Sequence, residues 1–264
     1  MPSLALRSLL PSCAAFACAI ATLLPSQKAY AQHLGDDFAE NDWRRAHHNI
    51  ASPQHWAFEL RFGSYRPRID EEFGTSPGPY EKVFGNSARV SLGAELDYQL
   101  IRIPWLGTLG PGGGWAYTKM SSLAKISGTD ENSAEETSLW IMPMNLVGVL
   151  RVDVLARELG IPLVPYGKLG AGYAIWRASN ELGRSDYNGV AGKGHSYGWY
   201  YAYGLSLQLD FLDQHSAQNL DNSVGINHSY IFFEFLNSKL DGFGSGGQML
   251  VGTDSWATGL AFEL

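Results

Sequence analysis

The sequence predicts an all-β fold, a closed antiparallel transmembrane β-barrel of eight strands behind an N-terminal signal peptide. Three observations carry that prediction. From Trp199 every second residue is apolar (Trp199, Tyr201, Tyr203, Leu205, Leu207, Leu209, Phe211), whereas Tyr200, Ala202, Gly204, Ser206, Gln208 and Asp210 stand between them. Side chains alternate between the two faces of a strand, so this is one β-strand of about 13 residues, against a usual length of ~5–6. At ~3.3 Å per residue and a tilt of ~40° it rises about 30 Å, more than the ~25 Å apolar band of an outer-membrane barrel. The second observation is the recurrence of the same pattern along the chain. The third is composition, with 30 glycines, 13 Tyr, 12 Phe and 8 Trp, which suits strands and turns rather than helices.

The N-terminal residues 1–31 read as a secretory signal. Arg7 precedes an apolar run from Leu9 to Leu24, and Ala29-Tyr30-Ala31 before Gln32 forms a small-x-small cleavage site with Ala29 and Ala31 as its small residues. Pro11 interrupts the run, which is short for a retained transmembrane helix. Cys13 and Cys18 both fall inside this segment, so a chain starting at Gln32 has no cysteine and no disulfide scaffold. Cleavage also removes Arg7 and Lys28, leaving 17 Lys and Arg against 26 Asp and Glu, a net charge of −9. An acidic chain without a basic stripe excludes nucleic acid as a natural partner. Residues 32–54 are polar and of mixed charge and read as an N-terminal tail, and residues 55–264 form one barrel domain.

The strands follow in order. The first sets Trp56, Phe58, Leu60 and Phe62 against Ala57, Glu59, Arg61 and Gly63. The second sets Val90, Leu92, Ala94, Leu96, Tyr98 and Leu100 against Arg89, Ser91, Gly93, Glu95, Asp97 and Gln99. A third, weaker strand is expected near Gly113 to Met120 with Trp115 and Tyr117 on one face. A fourth is expected between Thr137 and Leu155 with a bulge or bend at Pro143, which cannot donate to a ladder, and with Leu150, Val152 and Val154 opposite Arg151 and Asp153. The fifth alternates Leu169, Ala171, Tyr173 and Ile175 with Lys168, Gly170, Gly172 and Ala174, and the sixth is the stretch described first. The seventh places Ile231, Phe233 and Phe235 opposite Tyr230, Phe232 and Glu234. The eighth places Trp256, Thr258, Leu260, Phe262 and Leu264 opposite Ala257, Gly259, Ala261 and Glu263. Connections after odd strands (Arg66–Asn86, Ser121–Glu136, Arg177–His195, Asn237–Gln248) are longish, and those after even strands (Ile101–Gly112, Ala156–Pro162, Leu212–Val224) are mostly shorter. Long outer loops and short periplasmic turns are the outer-membrane arrangement.

In such a barrel the apolar stripes face lipid: Trp56, Phe58, Leu60, Phe62, Val90, Leu92, Leu96, Tyr98, Trp199 to Phe211 in steps of two, Trp256, Leu260, Phe262 and Leu264. The opposite face then points Glu59, Arg61, Glu95, Asp97, Arg151, Asp153, Lys168, Gln208, Asp210 and Glu234 into the lumen. An eight-stranded interior is just wide enough for side chains to fill, so these charges are expected to pair as an ionic plug. A narrow passage for polar solutes, with cations favoured by the acidic excess, is the alternative.

Motifs for chemistry are sparse. His195-Ser196 and His228-Ser229 are the adjacent pairs a lipid-modifying barrel enzyme would offer, but neighbours in a strand point to opposite faces. His47-His48 lacks further metal ligands. Gly110-Pro111-Gly112-Gly113-Gly114 lacks the Lys-Ser/Thr of a phosphate loop and reads as a turn, and Asn227-His228-Ser229 matches a glycosylation acceptor by chance. No catalytic residue, cofactor or metal is expected. A secreted soluble barrel with its apolar face inward remains a further alternative, because alternation alone does not say which face is wet.

Four stretches together (Trp56-Ala57-Phe58-Glu59-Leu60-Arg61-Phe62-Gly63, Ile161-Pro162-Leu163-Val164-Pro165-Tyr166-Gly167-Lys168, Gly225-Ile226-Asn227-His228-Ser229-Tyr230 and Gly259-Leu260-Ala261-Phe262-Glu263-Leu264) resemble a family of outer-membrane β-barrel proteins from myxobacteria. The resemblance implies a signal-bearing barrel of the eight-stranded type in a Gram-negative outer membrane, and it supplies no catalytic residues. The chain departs from the usual terminal Phe of such barrels by ending in Leu264. The expectation is a monomer whose partners are outer-membrane lipid and, through its last strand, the barrel-assembly machinery, with a structural or surface-recognition role carried by its outer loops.

Overall fold

Alternation of side chains along extended backbone builds eight long strands in the computed structural model, which describes residues 55–125, 132–180, 183–184, 186–187, 190–210 and 225–264. They are β1 (Trp56–Tyr65), β2 (Arg89–Tyr98), β3 (Gly107–Lys125), β4 (Asn132–Arg151), β5 (Leu163–Asn180), β6 (Lys193–Gln208), β7 (His228–Lys239) and β8 (Asp254–Glu263). Each pairs antiparallel with its sequence neighbour, and β8 returns to β1 from Ala57↔Glu263 to Gly63↔Ala257. The result is a closed eight-stranded antiparallel barrel, and closure leaves no sheet edge. Ile101–Ile103 pairs with the start of β3, and small ribbons at Gly183–Arg184, Asp186–Tyr187 and Val190–Ala191 decorate the β5–β6 connection. The signal with Ala29 and Ala31, the polar tail up to residue 54, and Phe211 lie outside the described residues.

The wall settles which face is enclosed. Outward-pointing Val90, Leu146, Leu169 and Tyr203 are 70, 69, 64 and 60% exposed, whereas inward-pointing Glu59, Asp97, Lys168 and Glu234 are 1, 2, 3 and 0% exposed. A soluble barrel has the reverse arrangement, so the inside-out alternative does not describe this chain. Trp56, Phe58, Tyr98 and Phe262 point outward but are half-buried; Trp56 and Tyr98 cover one another with ring centroids 4.9 Å apart.

Two strands differ from expectation. β3 is 19 residues long, and the glycine run expected to turn lies inside it. There, Gly112 and Gly114 face the lumen where a Cβ would come within 2.1 Å of Asp97 Oδ1 and 2.9 Å of Glu95 Oε2, so their missing side chains make room for the lumen carboxylates. β4 carries no bulge at Pro143. That residue stays in register opposite Ala174, and the β3–β4 ladder passes from Trp115↔Met144 to Thr118↔Ile141 without a shift, the irregularity falling instead at Leu123/Lys125. Because β4 ends at Arg151, Val152 and Val154 do not continue the alternation. Val154–Leu159 forms a short helix, α1, closed by left-handed Gly160 at φ 66°.

Candidate functional site

From its inner to its outer end the lumen is filled in layers. At the inner end Val164, Tyr166, Tyr230, Phe232 and Ala261 pack together, and Glu263 accepts hydrogen bonds from Gln99 Nε2 and the Tyr230 hydroxyl, both at 2.9 Å.

Above them lies an ionic cluster drawn from five strands, β1, β2, β4, β5 and β7. Lys168 Nζ on β5 donates to Glu59 at 2.8 Å and sits 2.5 Å from Glu95 and 3.4 Å from Glu234. Arg151 Nη2, the last residue of β4, donates to Glu59 at 2.8 Å and Asp97 at 2.7 Å. Arg61 donates to Glu59 at 3.1 Å and Glu95 at 2.5 Å and pairs with Glu234, which also accepts the Tyr166 hydroxyl at 3.1 Å. Lys168 lies 5.0 Å from the Tyr166 ring and Arg61 5.7 Å from that of Phe232, cation–π contacts that add to the pairing. Carboxylate oxygens of Glu59, Glu95 and Asp97 come within 4.8 Å of one another, a spacing that fits a metal ion. The guanidinium and ammonium groups take up that charge instead, so the geometry is that of a cross-linked wall.

Two residues expected in the lumen lie elsewhere. Asp153 falls beyond the end of β4, at the N-cap position of α1, where it accepts from Arg102 and Arg157 at 3.1 Å each. Asp210 lies in the turn after β6, because the strand ends at Gln208. At that rim it pairs with His228, accepts from Gln208 Nε2 at 2.8 Å and from Ser229 N at 3.2 Å, and is half-buried. Burial raises the Asp210 pKa, but the hydrogen bonds from His228 and Gln208 outweigh it and hold the carboxyl below its ordinary range. Gln208 closes the inward face of β6 at the same rim. Leu209 and Leu264 stand one residue past their strands, Leu209 half-buried and Leu264 exposed.

A cavity of about 70 Å³ follows, lined by Arg61, Glu95, Asn145 and Tyr200 among others, with room for a few waters. Beyond it an apolar cap packs into the outer mouth. Inward residues of the wall (Tyr65, Met120, Leu139, Ile141, Ala174) meet Ile69 and Tyr80 from the β1–β2 loop and Leu240 and Val251 from the β7–β8 loop. The first loop is built on a 3-10 turn at Ile69–Glu72 and a short helix at Pro79–Phe84. Asp70 ties them together by accepting the backbone N–H groups of Tyr80 at 2.7 Å and Glu81 at 3.0 Å. The second loop is fastened to β6, where the Ser196 hydroxyl donates to Met249 O at 2.7 Å and Gln248 Nε2 to Tyr197 O at 2.6 Å. Between the loops an open groove of about 560 Å³ is lined by Ile69, Glu72, Phe73, Asp241 and the glycine-rich backbone from Gly244 to Leu250.

Sequence reasoning set Gln99 and Glu263 on the polar face without naming them among the lumen residues, and it missed Asn145 and Tyr166, which stand on the inward parity of β4 and β5. It also missed the cap, because Ile69, Tyr80, Leu240 and Val251 lie in loops without periodicity. Of the two His-Ser pairs, His195 points outward and stacks on Tyr173 at 5.8 Å, whereas Ser196 points inward, so the two do not meet.

No family model matches the chain, and no curated protein matches it. Among solved structures it is similar to the attachment invasion locus protein Ail of Yersinia pestis, with 13% identity and TM-score 0.38 over 80% of this chain and 97% of that one. It is also similar to the outer membrane protein OprG of Pseudomonas aeruginosa, with 11% identity and TM-score 0.43 over 80% and 96% of the two chains. A third is the N-terminal β-barrel domain of Pseudomonas aeruginosa OprF, with 10% identity and TM-score 0.36 over 80% and 99%.

Proposed function

We propose that this chain is an integral outer-membrane β-barrel of a Gram-negative bacterium whose folded outer loops form a surface-recognition platform. The inverted wall is the observation that supports it, since charges enclosed behind a continuous apolar exterior are stable only where hydrocarbon replaces water outside. The recognition role rests on the outer mouth, where two loops are pinned into a fixed cap and leave a groove facing out. Ions and cap occupy the lumen on either side of that small cavity, which favours this role over a pore. The outward His195 and inward Ser196 likewise favour a non-enzymatic protein. Membership of the myxobacterial family is supported by the four sequence stretches quoted above. The protein acts as a monomer, its last strand engaging the assembly machinery.

Membrane fractionation with gel mobility of heated and unheated samples tests the location: a detergent-dependent, heat-modifiable band is expected, and recovery in a detergent-free soluble fraction would refute it. Planar-bilayer recording separates platform from pore, with silence expected and discrete channel openings overturning the platform.

A further inference from the structure

The barrel register places Lys119 opposite Trp140, Trp140 opposite Arg177, and Arg177 opposite Lys193, a single row across β3, β4, β5 and β6. All four residues have outward parity; Lys119, Arg177 and Lys193 are exposed and Trp140 is half-buried. With strands ~4.8 Å apart, the three cations fall within about 15 Å. Among the described residues none of the three forms an ion pair with an acidic side chain. On the opposite side of the barrel the outer strand ends differ, with Lys239 held by Asp241 at 3.2 Å and Asn237 bonded to Asp254.

Height adds a second argument. Lys119 stands 12 residues above the inner end of β3, Arg177 14 above that of β5 and Lys193 15 above that of β6. At ~3.3 Å per residue and ~40° tilt they lie about 30 to 38 Å above the inner strand ends, beyond a ~25 Å apolar band and level with headgroups. Aromatics sit directly below on the same face: Tyr117, Tyr173, Tyr197 and Trp199 are 44, 40, 41 and 54% exposed. Glu136, on the same face of β4, lies four residues farther out, about 13 Å away.

We infer that this row is a binding site for the phosphate groups of an outer-leaflet lipid, with Lys119, Arg177 and Lys193 meeting phosphate and Trp140 lying against the lipid between them. The inference rests on the membrane reading above. Its support is charge complementarity on an otherwise acidic chain, together with continuity with the apolar wall. Clustered basic residues at a membrane surface bind anionic headgroups in this way.

The full chain inserted in phosphatidylcholine vesicles is titrated with dansyl-labelled diphosphoryl lipid A, and energy transfer from tryptophan reports lipid enriched at the wall. The parent should enrich this lipid over its dephosphorylated form, the Lys119→Gln/Arg177→Gln/Lys193→Gln variant should weaken enrichment roughly a hundred-fold, and Lys82→Gln on the outer loop should leave it unchanged. Equal enrichment of the dephosphorylated lipid, or a triple variant that behaves like the parent, overturns the site. If the triple variant does not fold, a salt titration of the parent decides: enrichment should fall steeply with ionic strength, and salt-independent enrichment overturns the proposal. Absence of transfer to any labelled lipid, phosphatidylcholine included, would instead overturn the membrane reading.

Discussion

Replacing Lys168 by Met removes the ammonium that three carboxylates share, at 2.8 Å from Glu59, 2.5 Å from Glu95 and 3.4 Å from Glu234, with no solvent-exposed side-chain surface to admit water. Stripping one partner from a buried ion pair costs about 3–5 kcal/mol, because the remaining charge stays enclosed. Here three carboxylates lose a partner together, so a cost near the upper end of that range is expected. Arg61 and Arg151 remain to hold Glu59, Glu95 and Asp97. Adding Glu234→Gln restores the original imbalance of one negative charge and leaves an amide that still accepts the Tyr166 hydroxyl. The double variant should therefore recover about 1–3 kcal/mol relative to the sum of the single changes. Guanidinium unfolding in phospholipid vesicles, followed by tryptophan fluorescence and heat-modifiable mobility, measures both quantities. A Lys168→Met protein within about 0.5 kcal/mol of the parent, or strict additivity in the double variant, would refute the enclosed network, since such small effects belong to exposed pairs.

Other consequences follow from depth, crowding and rim charge. Leu169 stands six residues from the inner end of β5 and Leu207 one residue from that of β6, so Leu169→Arg should cost about 2–4 kcal/mol and Leu207→Arg about 0–1 in the same unfolding assay. Gly112→Ala should destabilise the barrel by about 1–3 kcal/mol, because the new Cβ meets Asp97 Oδ1 at 2.1 Å and Val149 Cγ2 at 2.9 Å; an unchanged denaturation midpoint would contradict the packing. Asp210 has its pKa lowered in the folded state, so the stability it contributes is present above the unfolded value of ~3.9 and is lost as pH falls through the folded value. Unfolding free energy should accordingly drop below about pH 4, and Asp210→Asn should flatten that slope; a slope unaltered by the substitution would dismiss the carboxylate's part in it.

Legibility in the sequence followed local regularity. β2 and β6 alternate so strictly that their outward and inward sets follow from parity alone, and Glu59, Arg61, Glu95, Asp97, Lys168 and Glu234 lie inside the barrel on the parity read from their own strands. Which carboxylate meets which cation was not legible, because it depends on the register between strands distant in the chain, as when Lys168 reaches Glu59. Glycine in β3 was misread for a chemical reason: Gly112 and Gly114 weaken strand propensity locally, yet they are needed where Asp97 and Glu95 approach the wall. Asp153 kept the parity of β4 on paper, but the strand had already given way to a helix. The cap is a tertiary feature, assembled from single apolar residues in two loops, and no window of sequence contains it.

The solvent of the outer wall is tested most directly by spin labels placed one at a time from Tyr203 to Leu207 in the chain beginning at Gln32, which contains no native cysteine. In phospholipid vesicles, collision with oxygen, which concentrates in hydrocarbon, should be high at Tyr203 and Leu205 and low at Gly204 and Ser206, with a polar nickel chelate excluded from both outward positions and reaching Leu207 near the inner strand end. High nickel accessibility at Tyr203 and Leu205 would place water against that wall and contradict the membrane barrel.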